Sequence, residues 1–185
     1  MSKLLEVNME LETSRLVLRN WKDNDFAPFA RMNSDPIVME HFPKVLTAEE
    51  SNRMAQKIKA HLDEKGWGLW AVERKDSKEF IGFVGLSIPL SDIPVPPGVE
   101  IGWRIAKEHW GQGFATEAAN EVLKFAFETL QLSEVISFTA KTNVRSQAVM
   151  KKIGLIDRRK NFMHPRVPEG NALREHVLFS IKSGR

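Results

Sequence analysis

Two stretches of this 185-residue sequence combine residue types that could do chemistry. In the first, His109-Trp110-Gly111-Gln112-Gly113-Phe114-Ala115-Thr116, two glycines stand at the mouth of a helical pattern. Glycines there bare the backbone beside the unpaired N–H groups and positive dipole end of a helix, a setting that suits a phosphate. Thr116 can add a hydroxyl. A tight strand-to-helix turn would use the same residues, so both readings stay open. The second stretch, Val99-Glu100-Ile101-Gly102-Trp103, holds one carboxylate in an apolar run. Partial burial would raise the pKa of Glu100 toward neutrality and let it accept a proton, directly or through water. The alternative is a rim carboxylate paired with Arg104 or Lys107.

Two familiar phosphate motifs do not fit the glycines. A P-loop needs Gly-Lys-Ser/Thr after its glycine spacing, and no lysine follows. A dinucleotide fingerprint wants a third glycine where Thr116 stands, and an acidic residue near the end of the next strand. That strand ends Phe138-Thr139-Ala140.

The elements that must position these residues follow from periodicity. Glu12 to Arg19 alternates as a half-buried strand, and a helix starts near Asp23 and stops before Asp35-Pro36. Thr47 and Glu50 form a capping-box pattern for a second helix that ends at Lys65-Gly66. Gly68–Arg74 and Phe80–Ile88 read as a hairpin, and proline-rich 89–98 as a loop. Val99–Ala106 is a further strand. Residues 116–130 form an amphipathic helix and Glu134–Thr139 a buried strand. A helix over 143–153 is capped by Asn143 and closed by Gly154, and His176–Ile181 is the last strand. The order β-α-α-β-β-β-α-β-α-β predicts a three-layer α/β domain with a mixed sheet covered on both faces.

Composition narrows the function classes. With no cysteine, disulfides, thiolate metal sites and cysteine nucleophiles are excluded. The five histidines lack metal-ligand spacing, so no metal is expected. His109 reads as lining the turn, and His164-Pro165 as part of a substrate-side loop. No apolar run approaches the roughly 20 residues of a membrane span, and the start MSKLLEVNMELETSR is too acidic for a signal peptide. The expectation is a single cytoplasmic domain over residues 1–185, a monomer or homodimer with no membrane or nucleic-acid partner. Lys151-Lys152 and Arg158-Arg159-Lys160 are too sparse for a basic stripe at a net charge of +3.

Taken in series, several words resemble the GNAT superfamily of acyl-CoA-dependent N-acyltransferases, and their order resembles its RimJ/RimL-like branch. They are ETSRLVLRNW, SDP, GWGLWAV, EFIGFVGL, EIGW, ATEA and the Asn143-x-x-Ser146 word before Gly154-Leu155, and they span about Glu10 to Ile181. The glycine stretch matches the family's diphosphate loop at Gly113 and Ala115 and departs from it at Trp110, where Arg or Gln is usual.

The resemblance implies a mostly antiparallel central sheet and acetyl-CoA as acyl donor. The acceptor would be a primary amine, of a peptide N-terminus or a small molecule, attacking directly in a ternary complex. Backbone amides from Gly111 to Thr116, Gln112 and Phe114 included, would hold the pyrophosphate. The end of the strand near Ile105 would pair with the pantetheine. Asn143 and Ser146 would contact the coenzyme arm near its sulfur, and a glutamate at Glu100 would be catalytic. The chain has no tyrosine, the usual acid for the departing thiolate, and Ser146 is its natural substitute. Residues 36–50, 89–98 and 160–173 would form the acceptor site. The same fold could instead serve a non-catalytic acyl-CoA sensor.

Overall fold

A computed structural model describes residues 10–184; most of the acidic start read above lies outside them. Its strands are β1 (Leu11–Glu12), β2 (Leu16–Arg19), β3 (Leu69–Arg74), β4 (Phe80–Ser87), β5 (Val99–Ile105), β6 (Glu134–Ala140), β7 (Ile156–Asp157), β8 (Phe162–Met163) and β9 (Glu175–Lys182). The helices are α1 (Phe26–Ser34), α2 (Ala48–Lys65), α3 (Phe114–Glu128) and α4 (Val144–Lys152).

One sheet runs β1-β2-β3-β4-β5-β6-β9-β7, with β8 also on β9. Every neighbouring pair is antiparallel except β5–β6. Register and alternation sort the side chains. Trp70, Val84 and Trp103 are cross-strand partners on one face, where Trp70 packs edge-on against Phe125 of α3, 5.3 Å between centroids. Ala71, Phe83 and Arg104 share the opposite face, where Phe29 of α1 meets Phe83 at 6.0 Å. The sheet is therefore covered on both sides, as the element order predicts.

Local chemistry sets the helix ends. The Thr47 hydroxyl accepts from the Glu50 amide while Glu50 reaches back to the Thr47 amide, and Gly66 closes α2 in the left-handed region. At α4 the Gly154 amide donates to the Lys151 carbonyl and the Leu155 amide to that of Met150, the paired bonds of a Schellman end. Asp23 does not cap α1. It opens a short 3-10 turn over Asp23–Asp25, and Asp25 turns inward to pair with buried Arg19 at 2.7 Å. The strand expected over 12–19 is broken into β1 and β2. At the break, Thr13, Ser14 and Arg15 turn to Glu117 of α3, a tertiary demand that outweighs local alternation.

Candidate active site

The site begins at a fork in the sheet. Strands β5 and β6 pair only at Val99–Val135 and Glu100–Ile136. Beyond that the Ser137 hydroxyl donates to the Ile101 carbonyl at 2.8 Å, a side-chain bridge where a backbone ladder would otherwise continue. The two strands then part, and a cleft of about 780 Å³ opens between them. Glu100, Trp110, Gly113, Ala115, Asn143 and Ser146 all line it.

Glu100 sits at the root of the fork. It lies across from Ser87, and among the described residues no cation pairs with it. Arg104 points to Asn33 and Lys107 to Asp35, so the rim ion pair considered above does not form. Burial without a counter-charge pushes the Glu100 carboxyl up to about 8, opposed only by the Ser87 hydroxyl. Glu117 shows what a partner does to the same residue type. Despite its own burial, hydrogen bonds from Thr13 and Arg15 and the Arg15 charge hold it below the usual carboxylate range.

At the other end of the cleft, Gly111 and Gly113 adopt φ of +73° and +81°. A Cβ at Gly111 would meet nothing within 4 Å, and at Gly113 only the tip of Arg15 at 3.5 Å. Backbone conformation, rather than crowding by the protein, requires these glycines. Helix α3 starts at Phe114 with no side-chain cap. Among the described residues the amides of Phe114, Ala115 and Thr116 find no acceptor. A cluster of uncapped N–H groups at a dipole end, open to a cleft, fits an anionic diphosphate. The Arg15 guanidinium braces the loop from outside. It donates to Glu117 at 2.6 Å and to the Gln112 carbonyl at 3.0 Å.

Most side chains of the expected contact residues are engaged within the protein. The Gln112 side chain turns back to the Glu108 carbonyl at 3.0 Å and does not line the cleft. The Phe114 ring is buried beneath Arg15, leaving only its backbone for a ligand. The Ile105 carbonyl already accepts from the Trp110 indole at 2.7 Å, which takes one of its two lone pairs. Asn143 is the N-cap of α4. Its oxygen accepts from the Ser146 amide at 3.0 Å and its nitrogen donates to Thr139 at 3.1 Å. The Ser146 hydroxyl makes no hydrogen bond among the described residues. His109 is buried under the loop, edge-on to Phe114.

Trp110 carries a cation on its ring face. The Arg145 guanidinium from α4 lies 4.4 Å over its ring, so a cation reaches the glycine loop from another element. Glu40, between α1 and α2, pairs with Arg145 and with His41. His41 in turn reaches Thr142 at 3.4 Å. The α1–α2 connection thus crosses the cleft to α4. Of the three expected acceptor segments, 36–50 supplies Val38 and Glu40 to Pro43, and 160–173 supplies His164, Arg166 and Val167. Segment 89–98 stays at the rim, tied by Asp92 to Arg166 at 2.9 Å.

Sequence reasoning missed Arg104, Arg145, Ser137 and the Glu40–His41 bridge. The alternation Glu100, Gly102, Arg104 along one strand could have shown Arg104; the others depend on contacts far apart in the chain.

Among the described residues no group of three or more metal-ligating side chains converges, and no helix is long and apolar enough to cross a membrane. Residues 15–156 match the family model described as an acetyltransferase (GNAT) domain. The uncharacterized N-acetyltransferase YoaA of Bacillus subtilis is 33% identical over 146 residues, which cover 78% of this chain and 81% of that protein. An acetyltransferase of the GNAT family from Bacillus anthracis superposes with a TM-score of 0.78 at 24% identity, covering 94% of this chain and 98% of that one. Mycobacterium smegmatis RimJ, solved in complex with CoA-disulfide, superposes with a TM-score of 0.72 at 17% identity, over 96% of this chain and 89% of that one. The sheet, its helical cover and the sequence match agree: the chain belongs to the GNAT family of N-acetyltransferases.

Proposed function

We propose that the chain transfers the acetyl group of acetyl-CoA directly to a primary amine, with Glu100 as the base. The amine belongs to a peptide N-terminus or a small molecule. The observation that carries this reading is a lone carboxyl at the root of the β5–β6 fork, half-buried with no cation beside it among the described residues and pushed up to about 8. The uncapped amides of Phe114, Ala115 and Thr116 would hold the pyrophosphate, with Arg145 adding charge beside them.

An amine reaches the site as an ammonium and must lose a proton before it can attack. Glu100, as carboxylate, takes that proton. The nitrogen then bonds to the thioester carbonyl carbon while the carbon–sulfur bond breaks, and the departing sulfur needs a proton. Ser146 is a free hydroxyl on the cleft wall suited to give it, and regains a proton, through water, from the second N–H that the nitrogen sheds as the amide forms. Holding both reactants in one cleft supplies much of the acceleration.

Glu100→Gln keeps the shape and removes the base. The expected result is a loss in kcat of about 10²- to 10⁴-fold, typical for a general base, with coenzyme affinity unchanged by calorimetry. Undiminished turnover in this variant would remove Glu100 from the mechanism. A protein that binds coenzyme but acetylates no amine in a broad panel would be the non-catalytic sensor.

A further inference from the structure

Among the described residues two arginines are buried, and the chain treats them differently. Arg19, 4% exposed, is neutralised by two carboxylates. Asp25 takes both terminal nitrogens at 2.7 and 2.9 Å, and Glu73 takes Nε at 2.7 Å. Arg104 is 8% exposed, and among the described residues no carboxylate lies within ion-pair distance of it. Its Nη1 donates to the neutral Asn33 oxygen at 2.6 Å, and its Nε is buried with no acceptor. An uncompensated buried cation is costly, and folded proteins ordinarily pair it.

The guanidinium is nevertheless held firmly. It lies 4.2 Å from the ring centre of Phe42 and 5.5 Å from that of Phe83. Asn33, which receives its hydrogen bond, is itself fixed by donating to Ser51 at 2.9 Å. Arg104 also lines the cleft that holds Glu100. The two residues share the α1–α2 face of β5, and so does Gly102 between them. A Cβ at Gly102 would meet nothing within 4 Å. The floor between base and cation is therefore bare.

We propose that Arg104 is the acceptor-recognition residue, and that the acceptor carries a carboxylate which docks on this guanidinium while its amine lies at Glu100. The proposal rests on the acetyl-transfer reading and names the acceptor class for that same cleft. Four residue steps of strand separate the two anchors, about 13 Å between Cα atoms at about 3.3 Å per residue. A free α-amino acid, whose amine and carboxylate share one carbon, spans only a small part of that separation. The class that fits has its amine and carboxylate several bonds apart, as in an ω-amino acid or a short peptide with a free C-terminus. The carboxylate would supply the charge-assisted acceptor that Nη2, which makes no hydrogen bond among the described residues and is not enclosed as Nε is, lacks.

The test uses linear ω-amino acids of increasing length and unblocked glycine oligomers, each beside its carboxamide. Binding to the CoA-loaded protein is read by calorimetry, and acetylation is read by thiol release. The acid is expected to bind at least tenfold more tightly than its amide at a preferred length, and the preferred series identifies the source of the carboxylate. Arg104→Gln should abolish that preference while leaving coenzyme affinity and amide binding in place. Equal binding of acids and amides at every length overturns the proposal, even if the variant fails to fold. So does an Arg104→Gln protein that keeps the preference. Because calorimetry does not need turnover, a clear acid preference without acetylation would sink the catalytic reading and leave this recognition standing.

Discussion

At the scale of residues, this cleft is governed by which charges have partners. Glu117, Glu73 and Asp35 are held below the usual carboxylate range by hydrogen bonds and cations, whereas Glu100 has burial opposed only by the Ser87 hydroxyl and rises to about 8. Arg145 stands on Trp110 with Glu40 as its counter-ion. Arg145→Gln is expected to weaken coenzyme affinity by roughly three- to tenfold, the worth of a partly exposed charge contact. The effect should shrink as salt rises in a calorimetric series; unchanged affinity at low salt would place the phosphates elsewhere. Glu100 was legible in the sequence because its apolar neighbours are adjacent in the chain. The Arg145–Trp110 stack was not, since no local pattern links a helix face to a loop 35 positions earlier. Nor could spacing show that the Trp110 indole takes the Ile105 carbonyl.

At the scale of elements, the helices and long strands follow their local signals. The capping box of α2, the Asn143 cap and the Gly154 close of α4 all stand where the sequence places them. The two-residue strands β7 and β8 did not show as separate strands, because they exist only by pairing with β9. The start of α3 at Phe114 lies two residues before the expected boundary. Its apolar stripe marks the core face but not the first turn, whose geometry is set by Gly113 at φ +81°. Gly113→Ala forces a side chain into the left-handed region and should lower stability by roughly 1 kcal/mol. It should also weaken coenzyme binding, because the free amides follow directly from this residue. Denaturant unfolding and calorimetry check the two effects separately, and a variant matching the wild type in both would mean the cradle does not depend on that backbone turn.

At the scale of the whole molecule, one continuous sheet is split at β5–β6, and the split places a half-buried carboxyl where no cation among the described residues stabilises its charge. That burden makes folding pH-dependent. A carboxyl raised from 4.5 to about 8 stabilises the fold fully below pH 4.5, and this contribution is lost as pH rises through about 8. Between those limits the wild type should lose thermal stability with rising pH faster than Glu100→Gln, whose neutral amide does not titrate. Parallel melting curves for the two proteins from pH 6 to 9 would show that Glu100 is not buried as described. The same titration must appear in catalysis, because only the carboxylate can take the proton of the amine. The most direct measurement is the pH dependence of kcat/KM, which reports groups of the free enzyme. The wild type is expected to rise tenfold per pH unit below a bend near 8, and Glu100→Gln to lose that bend. A wild-type plateau reaching down to pH 6, or the same bend retained in Glu100→Gln, would contradict the assignment of Glu100 as the base.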